Sequence, residues 1–263
     1  MIWVYFKRVI RQKMGKVIAI LNQKGGVGKT TSTINLAAAI AKSGKTVLVI
    51  DLDPQANATS GLAVDKTALQ SSIYNVLVAG VSSSDVIVPT HIEGLMLLPA
   101  TTTLAAAEQE LVSVLSRESV LKNAITTLSY DYILIDCPPS LGLLSINALV
   151  ASDSVLIPVQ SEFYALEGLG LLMQTIQRVQ AGLNPQLTLH GVVMTMVDTR
   201  NALSGQVVDE VKKHFGEYVF STQIPRNVRL AESPSFGKTI FEHDKWSKGA
   251  RAYKSLAKEV LAR

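Results

Sequence analysis

Residues 22–31 read NQKGGVGKTT, and this glycine-rich stretch lies between an apolar run and a segment with helical spacing. Glycines let the backbone curl tightly and turn several N–H groups toward phosphate oxygens, and a following helix presents its positive end to the same anion. In such a loop Lys29 reaches the β and γ phosphates of a nucleotide, and the Thr30 hydroxyl is a ligand of Mg²⁺. A turn without function does not explain two lysines, three glycines and two threonines at these positions. The predicted nucleotide-binding residues of the loop are Lys24, Gly25, Gly26, Val27, Gly28, Lys29, Thr30 and Thr31.

Apolar runs and helical segments alternate along the rest of the chain. This alternation is typical of an α/β fold with a mostly parallel central sheet and helices on both faces, and the glycine-rich loop makes it resemble a P-loop nucleotide triphosphatase. We expect residues 15–263 to form a single domain, with a surface loop at 81–84, because no repeat or long linker interrupts them. The predicted strands are 16–22, 46–51, 95–99, 132–136, 154–160 and 188–196. The predicted helices are 31–42, 117–128, 144–151, 166–181, 204–215 and 249–263.

Composition excludes several classes of protein. The chain has 263 residues, of which 48% are hydrophobic and 17% charged, so it is not intrinsically disordered. Cys137 is its only cysteine, which excludes an internal disulfide framework and a zinc site built on several cysteines. The four histidines match no metal-ligand spacing. No apolar run approaches the roughly 18–20 residues of a membrane-spanning helix, so we expect a cytoplasmic protein with no transmembrane segment.

Residues 1–14 do not fit the alternating pattern. Residues 1–13 contain four basic and no acidic side chains, and Met14 leads directly into the first predicted strand. We expect 1–14 to be an N-terminal extension, either upstream of a true start at Met14 or disordered. The competing interpretation is a short basic, apolar tail that contacts a membrane or nucleic acid, with weak binding at this length.

Carboxylates follow two of the predicted strands directly. Asp51 and Asp53 lie in the sequence DLDPQ at 51–55, and Asp136 follows the apolar run 132–135. Open α/β sheets bind their ligands at the carboxyl ends of strands. A single carboxylate there is often only a helix cap, but two such sites together with the glycine-rich loop indicate nucleotide chemistry.

The loop departs from the standard G-x-x-x-x-G-K-[ST] pattern, because Gln23 stands where that pattern has glycine. Its K-G-G-x-G-K-T form resembles the deviant Walker A box of the ParA/MinD group of ATPases. The resemblance implies that ATP and Mg²⁺ bind, and that Lys24 crosses a dimer interface to the phosphates of the partner's nucleotide. It also implies that Asp136 holds the Mg²⁺ shell, that Asp53 orients the attacking water and that Asp51 supports the metal side. The expected catalytic residues are thus Lys24, Asp53 and Asp136.

From residue 16 onward the chain resembles the ParA/Soj chromosome and plasmid partitioning ATPases. The resemblance implies that Pro225 and Asn227 contact adenine and that Arg200 and Arg229 bind DNA. A proline-fixed loop can lay backbone groups along a purine edge, and asparagine offers both a donor and an acceptor. The segments that carry the resemblance are residues 22–31, 51–57 (DLDPQAN), 136–142 (DCPPSLG) and 224–237 (IPRNVRLAESPSFG).

The resemblance to this family implies a nucleotide switch. ATP and Mg²⁺ bring two copies of the chain together, and the doubled basic surface binds nonspecific double-stranded DNA on the nucleoid. Hydrolysis is slow until a ParB-like centromere-binding partner stimulates it, and it then separates the dimer and releases the DNA. Repeated capture and release moves or spaces a chromosome or plasmid.

The distribution of charge agrees with a local DNA surface. The net charge of the chain is +4, but residues 14–197 contain 9 basic and 13 acidic side chains, whereas residues 198–263 contain 12 and 8. Without a base-reading motif, such a surface binds phosphates regardless of sequence. Lys238, Lys245, Lys248 and Arg251 either widen this surface or form an ordinary solvated face.

Three alternatives remain at this point. A MinD-like membrane-associated ATPase needs an amphipathic C-terminal anchor, and the apolar stripe of residues 249–263 is more simply explained by packing on the sheet. An iron–sulfur reductase needs two cluster-binding cysteines per subunit, and the chain has only Cys137. A nucleotide-dependent binder that scarcely hydrolyses ATP is disfavoured by Asp53.

Overall fold

Seven strands form the central sheet of the computed structural model, which describes residues 15–162 and 165–263. They are β1 (Lys16–Ile20), β2 (Val47–Asp51), β3 (Val88–Pro89), β4 (Leu95–Leu98), β5 (Tyr132–Asp136), β6 (Ser154–Gln160) and β7 (Thr188–Thr195). Their order across the sheet is β3-β4-β2-β5-β1-β6-β7. Neighbouring strands run parallel except β3, which pairs antiparallel with β4. The predicted α/β class with a mostly parallel sheet is confirmed.

Helices cover both faces of this sheet. The α-helices are α1 (Lys29–Ala41), α2 (Asn57–Gly61), α3 (Ile73–Ala79), α4 (Ser83–Val86), α5 (Leu104–Glu110), α6 (Val120–Ile125), α7 (Leu143–Ala151), α8 (Ala165–Gly182), α9 (Ala202–Phe215), α10 (Val228–Glu232), α11 (Ile240–His243) and α12 (Lys248–Ala262). Short 3-10 turns lie at Leu111–Ser113, Arg117–Ser119, Gly216–Tyr218 and Ser233–Phe236.

The two faces of the sheet belong to two separate apolar clusters. In β1, Val17 and Ala19 pack in the cluster that contains α7 and α8, whereas Ile18 and Ile20 pack in the cluster that contains α1 and α12. This alternation follows from the two-residue period of a strand. Since both faces are buried, the strands consist of continuous apolar residues, which is the pattern that made them visible in the sequence.

The carboxyl ends of three adjacent strands are aligned. β5 lies between β1 and β2, and Asp136 at its end is in register with Ile20 on one side and Asp51 on the other. The glycine-rich loop follows β1 at the same edge. The parallel pairing therefore brings together segments that are far apart along the chain, namely the loop and both carboxylate motifs.

The predicted strands and long helices are confirmed within one or two residues at each end, but three short features differ. The predicted helix 117–128 is wrong at both ends, because Arg117–Ser119 is a 3-10 turn and the helix covers only Val120–Ile125. The predicted surface loop at 81–84 is wrong at its end, because Ser83 begins α4. Ser83 is buried, and its Oγ donates a hydrogen bond to the Ala124 carbonyl at 2.8 Å. The two-residue strand β3 and the unpredicted helices α2, α3, α4, α5, α10 and α11 are too short for a periodicity to show.

The C-terminal helix α12 packs into the core, as its apolar stripe predicts. Tyr253, Leu256, Ala257 and Val260 are buried in the cluster that contains β1 and α1. The Tyr253 hydroxyl lies 3.0 Å from Ser32 Oγ on α1. The stripe is therefore not exposed for a membrane surface. In the part of the chain that the structure describes, no helix is long and apolar enough to cross a membrane. The predicted extension at 1–14 lies outside the described residues.

We predict that His190 makes stability depend on pH. Burial lowers the pKa of His190 to about 4, and its Nδ1 lies 3.2 Å from Ser154 Oγ. The unfolded chain then binds a proton that the folded chain does not, so stability falls as pH decreases from about 6.5 toward 4. Replacing His190→Asn, which keeps a polar atom near Ser154, should remove on the order of 2 kcal/mol of the loss between about pH 7 and pH 5. Urea unfolding of both proteins at the two pH values measures the difference, and equal losses would contradict the assignment.

Candidate nucleotide-binding site

The glycine-rich loop has the backbone of an anion cradle. Gly26 and Gly28 have φ values of 72° and 88°, in the left-handed region that residues with a Cβ rarely adopt. Gly28 is also the N-cap of α1 and offers no side chain to cap it. The first N–H groups of this 13-residue helix therefore stay available to an anion.

Two hydrogen bonds to other strands of the sheet hold this loop in place. Thr195 Oγ1, at the end of β7, donates a hydrogen bond to the Val27 carbonyl at 2.8 Å. Asn22 Nδ2 donates to the Pro158 carbonyl on β6 at 2.7 Å. Since the loop is fixed by the sheet, its N–H groups are oriented before a ligand arrives.

Lys29 lies buried at the floor of the loop, with its Nζ 3.2 Å from the Lys24 carbonyl oxygen. Burial lowers the pKa of Lys29, and the charge of Asp136 opposes this effect. A buried cation with so few partners gains strongly from an arriving phosphate. Its side chain faces a cavity of about 310 Å³, called here the phosphate cavity. The residues that line this cavity are Gly25, Gly26, Gly28, Lys29, Thr30, Thr31, Asp53, Gln55, Asn57, Pro139 and Met196.

Asp51 and Asp136 are fully buried side by side at the ends of β2 and β5. Burial raises the pKa of both carboxyl groups, and the charge of Asp51 raises the pKa of Asp136 further. Asp51 Oδ2 accepts two hydrogen bonds from Thr59, one from its N–H and one from its hydroxyl, both at 2.7 Å. Asp51 therefore anchors the start of α2, and its support of a metal ion stays a prediction.

Asp136 fits the coordination shell of Mg²⁺. Its Oδ1 accepts a hydrogen bond from Thr33 Oγ1 at 3.0 Å, whereas its Oδ2 is buried without a partner among the described residues. A cation with its water shell would satisfy that oxygen. In the described residues no group of three or more His, Cys, Asp or Glu side chains could hold a metal by itself. This agrees with the preference of Mg²⁺ for one or two carboxylates, phosphates and several waters.

Asp53 lines the phosphate cavity and is nearly buried. Its Oδ1 accepts a hydrogen bond from the Gln55 N–H at 2.9 Å, which fixes the side chain at the cavity wall. The structure thus brings Asp53 to the same cavity as Lys29 and Thr30. Its role in orienting water stays a prediction.

A second cavity of about 320 Å³ adjoins the phosphate cavity and includes Pro225 and Asn227. The Val197 N–H donates to the Ile224 carbonyl at 3.0 Å, and the Arg226 N–H donates to the Val197 carbonyl at 3.1 Å, so this loop is joined to the end of β7. We call this space the base cavity. Its lining residues are Gly28, Thr31, Thr195, Met196, Ile224, Pro225, Arg226, Asn227, Leu230, Ala231 and Tyr253.

The side chain of Asn227 has only its donor available for a ligand. Its Oδ1 accepts hydrogen bonds from the N–H groups of Arg229 at 2.8 Å and Leu230 at 3.3 Å, and it thereby caps α10. The expectation that Asn227 offers a purine both a donor and an acceptor is therefore wrong for the acceptor. Asparagine is among the best N-cap residues, and this use of its oxygen cannot be seen in a motif.

Lys24 contacts a carboxylate of its own chain. Its Nζ lies 2.7 Å from Glu162 Oε2, and both side chains are about half exposed. The second oxygen of Glu162 accepts a hydrogen bond from Gln160 Nε2. An ion pair this exposed is worth at most about 1 kcal/mol, so it can open for a stronger ligand.

Arg200 and Arg229 are exposed and also paired with carboxylates. The Arg200 guanidinium forms two hydrogen bonds with Asp198, at 3.0 and 2.9 Å, and these hold the pKa of Asp198 well below its usual range. Arg229 Nη1 lies 3.1 Å from Glu232 Oε2. Because the contacts of Val197 join the two loops, both arginines belong to segments that flank the base cavity.

Comparison with known proteins identifies the family. A family model described as an AAA domain matches residues 15–189. Sporulation initiation inhibitor protein Soj of Bacillus subtilis (strain 168) is 56% identical over 251 residues, covering 95% of this chain and 99% of that protein. Chromosome partitioning protein ParA of Myxococcus xanthus is 49% identical over 252 residues, covering 95% and 89%. The chain belongs to the ParA/Soj family of chromosome partitioning ATPases.

Solved structures share the fold of this ParA/Soj chain. One of them is cobyrinic acid a,c-diamide synthase from Mycobacterium smegmatis with bound ATP analog and magnesium, with a TM-score of 0.83 and 38% sequence identity. The match covers 94% of this chain and 95% of that one. The fold is thus shared by proteins with different names, whereas the higher identity to Soj and ParA decides the family.

Four residues of this ParA/Soj site have no motif signal of their own. Thr33, Thr195 and Glu162 act through side-chain contacts across the fold. Met196 lines both cavities and has a positive φ of 52°, which is unusual for a residue with a side chain. Thr33 follows the loop directly, but only the fold brings Asp136 to it, and only the fold brings the other three residues to the loop. The sequence therefore could not reveal these roles.

We predict that two substitutions at Asn227 separate capping from nucleotide binding. Asn227→Asp keeps the oxygen that caps α10 but loses the amide donor, so it should melt close to the unsubstituted protein and bind ATP at least tenfold more weakly. Asn227→Ala loses both groups and should also lose about 1 kcal/mol of stability. Thermal melting and calorimetric titration with ATP measure the two effects. If Asn227→Asp binds ATP as tightly as the unsubstituted protein, the Asn227 amide does not contact the base.

Proposed function

We propose that this protein is an ATP-dependent DNA partitioning ATPase that hydrolyses ATP to ADP and phosphate with weak basal activity. The observation that carries the proposal is the meeting of three groups at one sheet edge: buried Lys29, Asp53, and the unpartnered Oδ2 of Asp136. The adjoining base cavity extends this site to the size of a nucleotide. The proposal that the transported cargo is DNA rests on the relatives, which include a chromosome partitioning protein.

The residues of the loop hold the triphosphate. The N–H groups between Gly25 and Thr31 contact phosphate oxygens, and Lys29 binds the β and γ phosphates. Thr30 and Asp136 hold Mg²⁺, the latter through water. When bound, Mg²⁺ neutralises the charge that develops on the phosphates. Asp53 orients the attacking water.

Lys24 completes the site of a second copy. In one subunit it is held by Glu162 at an exposed position beside the loop. The phosphates of a nucleotide in the facing subunit carry more charge than one carboxylate, so Lys24 exchanges Glu162 for them when two subunits meet. The homodimer therefore depends on bound ATP. A ParB-like protein accelerates hydrolysis and returns the subunits to the separate state.

The dimer binds nonspecific double-stranded DNA through Arg200 and Arg229. Both guanidinium groups are exposed, and their carboxylate partners are exposed enough to release them to phosphates. Two copies of each arginine bind together in the dimer, so DNA affinity rises when ATP binds. The protein is then associated with the nucleoid while ATP is bound.

The MinD-like alternative has less support. The apolar stripe of α12 is buried, and it is therefore not available as an amphipathic membrane anchor. The relatives named for chromosome partitioning reach 56% identity, whereas the MinD structure from Pyrococcus furiosus is 26% identical.

We predict that two substitutions separate dimerisation from hydrolysis. Asp53→Ala keeps the loop and Lys24, so it should form a long-lived ATP dimer with phosphate release reduced at least tenfold. Lys24→Ala keeps Lys29, so it should bind ATP as a monomer. Light scattering with ATP and a phosphate-release assay test both. Glu162→Ala is the control, since it removes the internal partner of Lys24 and should still dimerise. Rapid phosphate release by Asp53→Ala would show that Asp53 has no role in catalysis.

We predict that DNA, and not a membrane, captures the ATP-bound protein. Cosedimentation with duplex DNA and with anionic vesicles, each with and without ATP, distinguishes the partitioning function from the membrane alternative. Replacing Arg200→Ala and Arg229→Ala together should abolish DNA capture and leave ATP hydrolysis in place. Replacing Lys122→Ala, an exposed cation on α6, serves as the matched control for the removal of charge. Vesicle capture without DNA capture would refute the proposed function.

A further inference from the structure

Three large apolar side chains are exposed within the segment from α10 to the start of α12. Val228 is 70% exposed, Phe236 63% and Trp246 79%. Among the large hydrophobic residues that the structure describes, only Leu115, at 94%, is more exposed than Trp246. An isolated exposed apolar residue is ordinary, but three in one short segment indicate a contact surface.

The backbone beside Trp246 is held firmly, so its exposure is not a consequence of a loose loop. The Trp246 N–H donates a hydrogen bond to Asp244 Oδ1 at 3.1 Å. The next residue, Ser247, is buried and caps α12 by accepting a hydrogen bond from the Ala250 N–H at 3.0 Å. The ring is therefore presented to solvent from a fixed position.

One cation lies against the ring, and a second follows it closely in the chain. Lys245 Nζ lies 5.2 Å from the centre of the Trp246 ring, and Lys248 is exposed at the first turn of α12. Asp244, which binds the Trp246 N–H, also lies 3.9 Å from Arg229 Nε. One carboxylate thus connects the backbone of Trp246 with the Arg229 guanidinium, so both residues belong to one surface.

Phe236 lies in the same segment, and its ring packs against another aromatic side chain. Its ring stacks on His243, with centres 5.1 Å apart and an angle of 27° between the planes. His243 Nε2 in turn lies 3.5 Å from Glu232 Oε2, the same oxygen that lies 3.1 Å from Arg229 Nη1. The aromatic rings and the cations are therefore interleaved, with carboxylates between them.

We propose that Trp246 is a non-ionic contact to duplex DNA, in which its ring packs on sugar or base faces in a groove while Arg229, Lys245 and Lys248 bind the flanking phosphates. Interleaved aromatic and basic side chains are suited to nucleic acid, because the cations meet the backbone and the rings meet the apolar faces next to it. The inference rests on the proposed DNA-binding function and assigns it a residue that no motif marks. Lys245 and Lys248 are exposed, and Arg229 can exchange its exposed carboxylate partners for phosphates, so the charge favours DNA over a neutral protein partner.

Fluorescence can test this contact directly because the chain has only two tryptophans. In full-length Trp3→Phe protein, Trp246 is the sole tryptophan emitter. The protein, bound to a non-hydrolysable ATP analogue, is titrated with duplex DNA and, separately, with anionic vesicles of phosphatidylglycerol. We expect DNA to quench the emission in a saturable manner. Unchanged emission while gel retardation shows binding would overturn the contact but not the proposed function. A spectral shift with vesicles and none with DNA would overturn it in favour of a membrane surface.

The salt dependence of affinity separates a ring contact from a phosphate contact. Trp246→Ala should weaken DNA binding about tenfold and leave the slope of log affinity against log salt unchanged, and Trp246→Phe should restore most of the affinity. Arg229→Ala should weaken binding and also reduce the slope by about one, because one phosphate is then no longer neutralised by the protein. Leu115→Ala, which removes an exposed apolar side chain elsewhere, is the control and should change neither.

The outcomes distinguish this contact from the DNA-binding function as a whole. Undiminished affinity of Trp246→Ala would overturn the contact, as would a reduced slope, because the ring would then act only through neighbouring cations. Circular dichroism shows whether each variant is folded before it is compared. Failure of the unsubstituted protein to bind DNA at all would refute the proposed function itself, and the contact with it.

Discussion

The site depends on the parallel pairing of β5 with both β1 and β2. This pairing aligns Asp136 with Ile20 and with Asp51, so the phosphate loop and two buried carboxylates end at one level of the sheet. Burial is unfavourable for two adjacent carboxylates and raises the pKa of each, and the charge of Asp51 raises the pKa of Asp136 further. Thr59, Thr33 and buried Lys29 offset part of this cost. Among the described residues Asp136 Oδ2 has no hydrogen-bond partner, and a hydrated magnesium ion would supply one.

Three cations of the proposed functional surfaces are already paired with carboxylates within the chain. Lys24 is paired with Glu162, Arg200 with Asp198 and Arg229 with Glu232. Binding at these positions is therefore an exchange of one anion for another. Exposed pairs are worth little, whereas phosphates offer more charge and more acceptor oxygens, so the exchange favours the ligand. The internal partners keep the cations extended and oriented, which lowers the entropy lost when they bind.

Much of this could be predicted from the chain because the signals are local. Buried parallel strands are continuous apolar runs, which are visible in the sequence. The loop needs glycine at positions 26 and 28, and its sequence motif contains both. The helices of four to seven residues other than α6 were not predictable, since they span one or two turns and are formed by packing and caps such as Ser72 and Asn227. The contacts of Glu162 with Lys24 and of Thr33 with Asp136 were not predictable either, because each joins elements that are distant along the chain.

The sequence by itself determined the α/β class, the phosphate loop, the carboxylates that follow β2 and β5, and the basic character of residues 198–263, since each is a matter of residue type at a spacing. The tertiary structure decided how the side chains are used. It joined the loop of Pro225 to β7, committed the oxygen of Asn227 to α10, buried the apolar stripe of α12 and left Trp246 exposed. The physical reason is that hydrogen-bond partners and solvent exposure depend on which distant segments meet, and no local pattern encodes that meeting.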